Sequence, residues 1–531
     1  MSPPMISRRD FLATGATLAG SAAVGATVTG CATERTLAPI PESPPAQAVG
    51  APPASGDLAE PLRIVSAGGV LNATLALATA PVRVGGRVAK EPVTIGGSFP
   101  APTLEVRPGD WLDLLFVNRI NFDQASDGRR GRYRPPRDGA MTNIHYHGLH
   151  VPPTSTPQGA GDDMAVMIPR GASQRYLFQI PPTHPAGLFF YHPHIHGLVT
   201  NQQGRGAAGL LYVSNGHSDE VARRGITRRL MMLQQAYFDE DESRLVSDDG
   251  ERDDPQLALS LINGQLQPDI RMRPREPQVW ALCNGSTSAF YMLELDGHTF
   301  DVVAEDGLPL PFARTGVSRV LLTPGNRVEL VVRGQPARGR YALRLAEFNQ
   351  GVDTWPAKVL ATVEIAGLTW TGAEYPGPDS SALLPDLSGA AVAARRSIVF
   401  GVNESVPEGE FGRFTMNGHS WGQDGQGNPD PDYVEWTSTV GTVEEWVISN
   451  ETSQDHPFHV HTNPFQVVRV TGAPSYATLG YADTVVVPRN GGTVTVRTRF
   501  DDFPGRILMH CHILDHEDMG MRTSFVIAPA L

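Results

Sequence analysis

His510-Cys511-His512-Ile513-Leu514-Asp515-His516-Glu517-Asp518-Met519-Gly520-Met521 is the stretch from which the rest of the chain can be read. Successive side chains on a β-strand point to opposite faces. Cys511 therefore faces one way, and His510 and His512 both face the other. A cysteine thiolate with His516 nearby and Met521 beyond it is the donor set of a blue electron-transfer copper with a weak axial thioether. The two flanking imidazoles are left to bind other metal on the far side, one residue from the thiolate.

Three further clusters answer this one: His145-Tyr146-His147-Gly148, Tyr191-His192-Pro193-His194 and His456-Pro457-Phe458-His459-Val460-His461. With the Cys511 stretch they hold ten of the 16 histidines. Two histidines separated by one residue on a strand aim both rings at one face, and imidazole suits copper. A lone pair of this kind is commonplace in a packed core; four clusters, one built around a cysteine, are not. From about residue 62 to 531 the chain resembles the multicopper oxidases of the laccase-like type, with the four motifs in that family's order.

The 531 residues suffice for about three domains. Glycine and proline are abundant and long amphipathic helices are scarce, which favours an all-β fold. The formal net charge of −13 argues against a nucleic-acid partner. Residues 1–31 carry Ser7-Arg8-Arg9-Asp10-Phe11-Leu12 and a glycine/alanine-rich apolar run, the pattern of a twin-arginine export signal read by its export machinery. Val28-Thr29-Gly30-Cys31 resembles a lipoprotein box, so Cys31 is either lipidated as a membrane anchor or removed with the signal. The expected location is the periplasm or cell surface. Residues 32–61 are rich in proline, alanine and glycine and read as an extended tether. Cys31, Cys283 and Cys511 have no evident disulfide partner, and Cys283 reads as a small buried hydrophobe.

The body repeats itself. The strands ending at Asn118, Asn284 and Asn450 echo one another, and Gly187, Gly339 and Gly505 each open a strand leading to His192, Arg344 and His510. The outer repeats carry histidine pairs where the middle one has Arg344 and Ala346, or only His298. Three domains follow: 62–215, 216–375 and 376–531. The middle one is a spacer without copper, so a cluster drawing on the outer two must lie at their interface. Short, regularly spaced strands suggest β-sandwiches, and the resemblance makes them cupredoxin-like Greek-key domains.

The resemblance also implies the metal assignment. The type 1 copper in domain 3 takes His456, Cys511 and His516 with Met521 axial, Met519 being the misplaced rival. The type 2 copper takes His145 and His459. The type 3 pair takes His147, His192, His194, His461, His510 and His512, giving four copper ions per chain. His196 points with His192 and His194 if their strand continues, but the resemblance leaves it outside the metal ligands, as a residue supporting them. His150, His184, His217, His298 and His419 read as structural or surface residues. Protons for dioxygen reduction are assigned to Glu517 and Asp162, with Asp163, Asp515 and Asp518 as alternatives.

The implied activity couples one-electron oxidation of a phenolic or aromatic-amine donor to reduction of dioxygen to water, by a monomer. The donor pocket is expected in the loops around His456. The alternative is a metallo-oxidase of cuprous or ferrous ions in copper tolerance. Only Met416 occurs between residues 345 and 450, which opposes a methionine-rich copper specialist, although Met164 and Met167 form a small pair. A non-catalytic exported scaffold would have lost ligands, and this chain keeps every one.

Overall fold

A computed structural model describes residues 56–121, 139–239, 241–246, 254–472 and 479–530. The twin-arginine pair, Cys31 and the tether up to residue 55 lie outside the described residues. Strands dominate, and the helices among the described residues are the short Val199–Gly204, Gly216–Arg223 and Leu514–Asp518.

The strands form three successive sandwiches. A five- and a six-stranded sheet use strands between Arg63 and Val213. A seven- and a five-stranded sheet follow between Thr227 and Ile365, then a six- and a five-stranded sheet between Ala394 and Ala528. Each sandwich is wired alike. Trp111–Asn118 lies parallel to Val70–Ala78 and antiparallel to Ser173–Gln179. Pro277–Asn284 has the same relation to Thr227–Phe238 and Arg327–Arg333, as Val443–Asn450 has to Ala394–Val402 and Gly492–Arg499. Parallel neighbours cannot be joined by a tight hairpin, so each sandwich needs the long Greek-key connections.

The repeated asparagines explain the echo. Asn118 donates its side-chain amide to the Ala140 and Ile168 carbonyls and accepts from the Ile120 N–H. Asn284 does this with Ala289, Leu322 and Ser286, and Asn450 with Gln454, Val487 and Thr452. Each amide closes the backbone where its strand leaves the sheet, a place where unpaired polar groups would otherwise be buried.

Burial alternates along Trp111–Asn118 and Val443–Asn450 but is complete along Pro277–Asn284. The second face of that strand is covered by the first sandwich: Ala281 and Cys283 share an apolar cluster with Leu188, Phe190 and Leu210. Cys283 is a free, buried thiol there, a small apolar filler. Another cluster runs from Trp280 and Phe290 of the second sandwich to Phe458, Cys511 and Met521 of the third.

Candidate functional site

Strand register places the imidazoles. His145–His147 lies antiparallel to Gly187–His192 with His145 opposite His192. His456–Val460 lies antiparallel to Gly505–Cys511 with His459 opposite His510 and Phe458 opposite Cys511. The two strand pairs, one from the first sandwich and one from the third, meet ring to ring. His145 stacks on His461 and His147 on His459, each at 3.8 Å between centroids.

Eight buried imidazoles fall into groups whose ligand atoms lie within 4.8 Å: His147, His192 and His512; His194, His461 and His510; and His145 with His147 and His459. His510 Nε2 is 3.2 Å from both His194 Nε2 and His461 Nε2, and His147 Nδ1 is 3.2 Å from His512 Nε2. Burial, reinforced by the neighbouring rings, holds the pKa of His147, His192, His194, His461, His510 and His512 well below the usual histidine value. They stay neutral, so each keeps a lone pair for a metal.

In four of the eight, Nδ1 is tied down. Nδ1–H donates from His145 to the Asp162 carboxylate (2.9 Å), from His459 to the Asp483 carbonyl (2.9 Å), from His192 to the Pro193 carbonyl (3.0 Å) and from His510 to the Cys511 carbonyl (3.0 Å). That fixes the tautomer and aims Nε2 inward. Among the described residues the Nε2 atoms of His145, His192 and His459 have no hydrogen-bond partner although buried. Orphaned, converging nitrogens of this kind fit copper.

On the opposite face of the Gly505–Cys511 strand, Cys511 Sγ lies 3.4 Å from His456 Nδ1 and 3.9 Å from His516 Nδ1, and those two nitrogens are 3.2 Å apart. His456 Nε2–H donates to Thr452 Oγ1 at 2.8 Å, which turns Nδ1 to the sulfur. Burial pushes the Cys511 thiol well above its ordinary value. A metal must therefore displace a proton on binding. Met521 is fully buried and its carbonyl accepts from the Cys511 N–H at 3.1 Å, whereas Met519 lies on a cavity wall.

Of the acidic candidates, two reach the eight-imidazole cluster. Asp162 holds His145. Glu517 has no exposed surface and sits 3.2 Å from His510 Nδ1, 3.5 Å from His194 Nδ1 and 3.0 Å from Arg522 Nη1. Burial pushes its carboxyl up to about 8, against the pull of Arg522. The helix Leu514–Asp518 explains the placement. Consecutive residues on a helix turn by about 100°, so His516 joins the sulfur and Glu517 the imidazoles on the other side. Asp163 instead bonds Ser155, Asp518 accepts from the Gly197 and Thr200 N–H groups, and Asp515 lines a cavity.

The condition set for His196 is not met. The strand carrying His192 does not continue through His196; it ends at His192, because Pro193 has no N–H for the ladder. His194 is held separately by its N–H bond to Asn143 Oδ1 (2.6 Å), and His196 packs near Phe411 and Trp421 instead. His456 itself has no exposed surface beneath Phe400 and Phe414, while the loop that precedes it, residues 451–454, lines a cavity as expected. His516 lines the cavity of about 1130 Å³, together with Met519, Asp353, Glu404, Glu408, Glu451 and Asp515. Its one cation, Arg413, is paired with Glu404.

Asp483, Thr484 and Arg327 were not foreseen. Asp483 Oδ1 lies 3.2 Å from His147 Nε2, and Thr484 Oγ1 lies 3.1 Å from His459 Nδ1. No motif around them marks a metal site, and only their placement in the fold reveals the role.

The sequence pattern of the multicopper oxidases matches residues 138–218, 228–363 and 405–530. A multicopper oxidase of Staphylococcus haemolyticus is 24% identical over 80% of this chain and 81% of its own length. A laccase of Haloferax volcanii is 26% identical over 81% and 77%. Among solved structures, a multicopper oxidase of Campylobacter jejuni described as a metallo-oxidase superposes with a TM-score of 0.71 at 23% identity, covering 90% of this chain and 96% of that one.

Proposed function

The chain belongs to the multicopper oxidase family, and from that premise we propose that it couples four one-electron oxidations of a phenolic or aromatic-amine donor to conversion of one dioxygen and four protons into two waters. The observation that carries this reading is the sharing of Cys511 and its two neighbours between a Cys/His₂ pocket and an eight-imidazole pocket. His456, Cys511 and His516 with Met521 would hold the type 1 copper, His145 and His459 the type 2 ion, and the two imidazole triads the type 3 pair. Copper bound there supplies one-electron redox chemistry, so that reducing equivalents can be stored until dioxygen takes four.

The residues of the chain do the rest. His516 forms the contact between the donor cavity and the sulfur. The Cys511 main chain links that sulfur directly to His510 and His512. Phe190, Phe458 and the surrounding core exclude water from both pockets. Glu517 and Asp162 place carboxylate oxygens beside the imidazoles, where they would relay the protons. Purified protein loaded with copper is expected to be intensely blue, to contain four coppers per chain and to consume one dioxygen per four donor electrons without releasing peroxide. A folded preparation that stays colourless and metal-free after loading would refute the reading.

The acidic cavity wall selects among donors. Five carboxylates against one paired guanidinium favour cationic aromatic amines over anionic phenolates. The same wall, with Met519 in it, favours the second reading, oxidation of cuprous or ferrous ions. Replacing Glu404 and Glu408 by glutamine is expected to raise KM for a cationic amine by roughly 1.4- to 5-fold per charge, and to leave a neutral phenol unaffected. Steady-state kinetics with the two donors and with cuprous ion separates the readings. Equal KM changes for all of them would remove the electrostatic argument. The run at residues 7–12 supports export by the twin-arginine route, with Cys31 as the candidate anchor.

A further inference from the structure

The middle sandwich supplies no imidazole to the cluster, yet one of its turns reaches it. Gly325 has φ +88°, and a Cβ there would lie 2.9 Å from His512 Cδ2 and 3.1 Å from His147 Cε1. Two residues on, Arg327 is 1% exposed and uses all five of its N–H donors. Nε donates to the Leu188 carbonyl in the first sandwich (3.2 Å). Nη1 and Nη2 donate to the Gly325 and Asp306 carbonyls in the second (2.9 and 2.8 Å). The same two nitrogens grip both oxygens of Asp483 in the third sandwich at 2.8 and 2.5 Å. One guanidinium thus bonds to all three sandwiches, in the bidentate geometry that arginine offers and lysine does not.

The grip is passed on to the imidazoles. Asp483 Oδ1 faces His147 Nε2 at 3.2 Å, so Nε2 carries the proton and Nδ1 is the atom turned toward His512. His147 is thereby held in the tautomer opposite to that of His145, His192, His459 and His510, which present Nε2. The Asp483 carbonyl holds His459 Nδ1, and Asp306 Oδ2 accepts from the Asp483 and Thr484 N–H groups, each at 3.2 Å. Gly148, with φ +84°, leaves room for the pair, because a Cβ there would collide with Arg327 Nη2 and come within 2.5 Å of Asp483 Oδ2.

We propose that Arg327 is a positioning residue of the copper cluster: through Asp483 it fixes the Nδ1-presenting tautomer of His147 and the orientation of His459. The proposal rests on the multicopper reading. The wild-type protein, loaded in parallel, tests that reading separately, since failure of the wild type to take copper would leave nothing for Arg327 to position. Arg327→Met and Arg327→Lys are loaded with copper, and copper per chain is measured before and after a chelator. Blue absorption and the electron paramagnetic resonance spectrum of the remaining copper are recorded alongside.

Arg327→Met is expected to keep the blue absorption and to hold cluster copper roughly 10- to 100-fold more weakly. Arg327→Lys, which restores the charge but not the fork, is expected to fall between Met and wild type, with an altered resonance spectrum. Wild-type copper retention and spectrum in Arg327→Met would overturn the proposal. So would blue absorption falling in step with cluster copper, since that marks general loss of folding. If Arg327→Met does not fold, Arg327→Lys decides alone: an unchanged spectrum and retention overturn the proposal.

Discussion

Cys511→Ser is expected to abolish the blue absorption and donor oxidation together, with one copper per chain fewer and the remainder retained. The sulfur is fully buried and forms one corner of a triangle with His456 and His516. The colour and the potential of such a site derive from the copper–thiolate bond. Serine cannot replace it, because a hydroxyl is a harder donor that is far more difficult to deprotonate. The eight imidazoles lie on the other face of the strand and depend on the sulfur for none of their tautomers, so they keep their metal. Absorption spectra, metal analysis and donor turnover on the same preparation check this. Turnover surviving without the blue absorption would show that electrons enter elsewhere.

Glu517→Gln is expected to slow turnover by roughly 10²- to 10⁴-fold, the range for loss of a positioned proton donor. Glutamine matches glutamate in size and can still accept from Arg522, so it isolates proton transfer from packing. The loss should fall on one half of the cycle. Bleaching of the blue absorption by donor under anaerobic conditions should proceed at the wild-type rate, and its return on admitting dioxygen should be slow. Stopped-flow absorption measures both halves. Wild-type recovery in Glu517→Gln would shift the role to Asp162, which holds His145.

Much of this was legible because the chemistry is concentrated in short motifs on strands, where a period of two determines which face a side chain occupies. Cys511 and its neighbours part to opposite faces for that reason. The repeated Asn118, Asn284 and Asn450 were visible as an echo, but their common work, closing a strand exit onto two carbonyls, became clear only in three dimensions. The middle repeat's Arg344, standing where the outer repeats have His192 and His510, forms an exposed ion pair with Asp296. The strand face does not reach His196 because the ladder ends before Pro193, and nothing in the local sequence says that the cavity beside residues 451–454 leaves His516 rather than His456 at its wall. Arg327 and Asp483 were illegible for a deeper reason. They are distant in sequence and belong to different sandwiches, and only the folded packing makes them partners.

The single turn Leu514–Asp518 gangs two supplies to one lever. On the proposed reading, the imidazole through which charge would arrive from outside and the acid that would accompany it with hydrogen ions are neighbours on the same few ångströms of backbone. A tilt of that turn would throttle both feeds at once, so faulty timing between them has little chance to develop, and a lesion there should stall the catalyst rather than make it leak half-reduced oxygen.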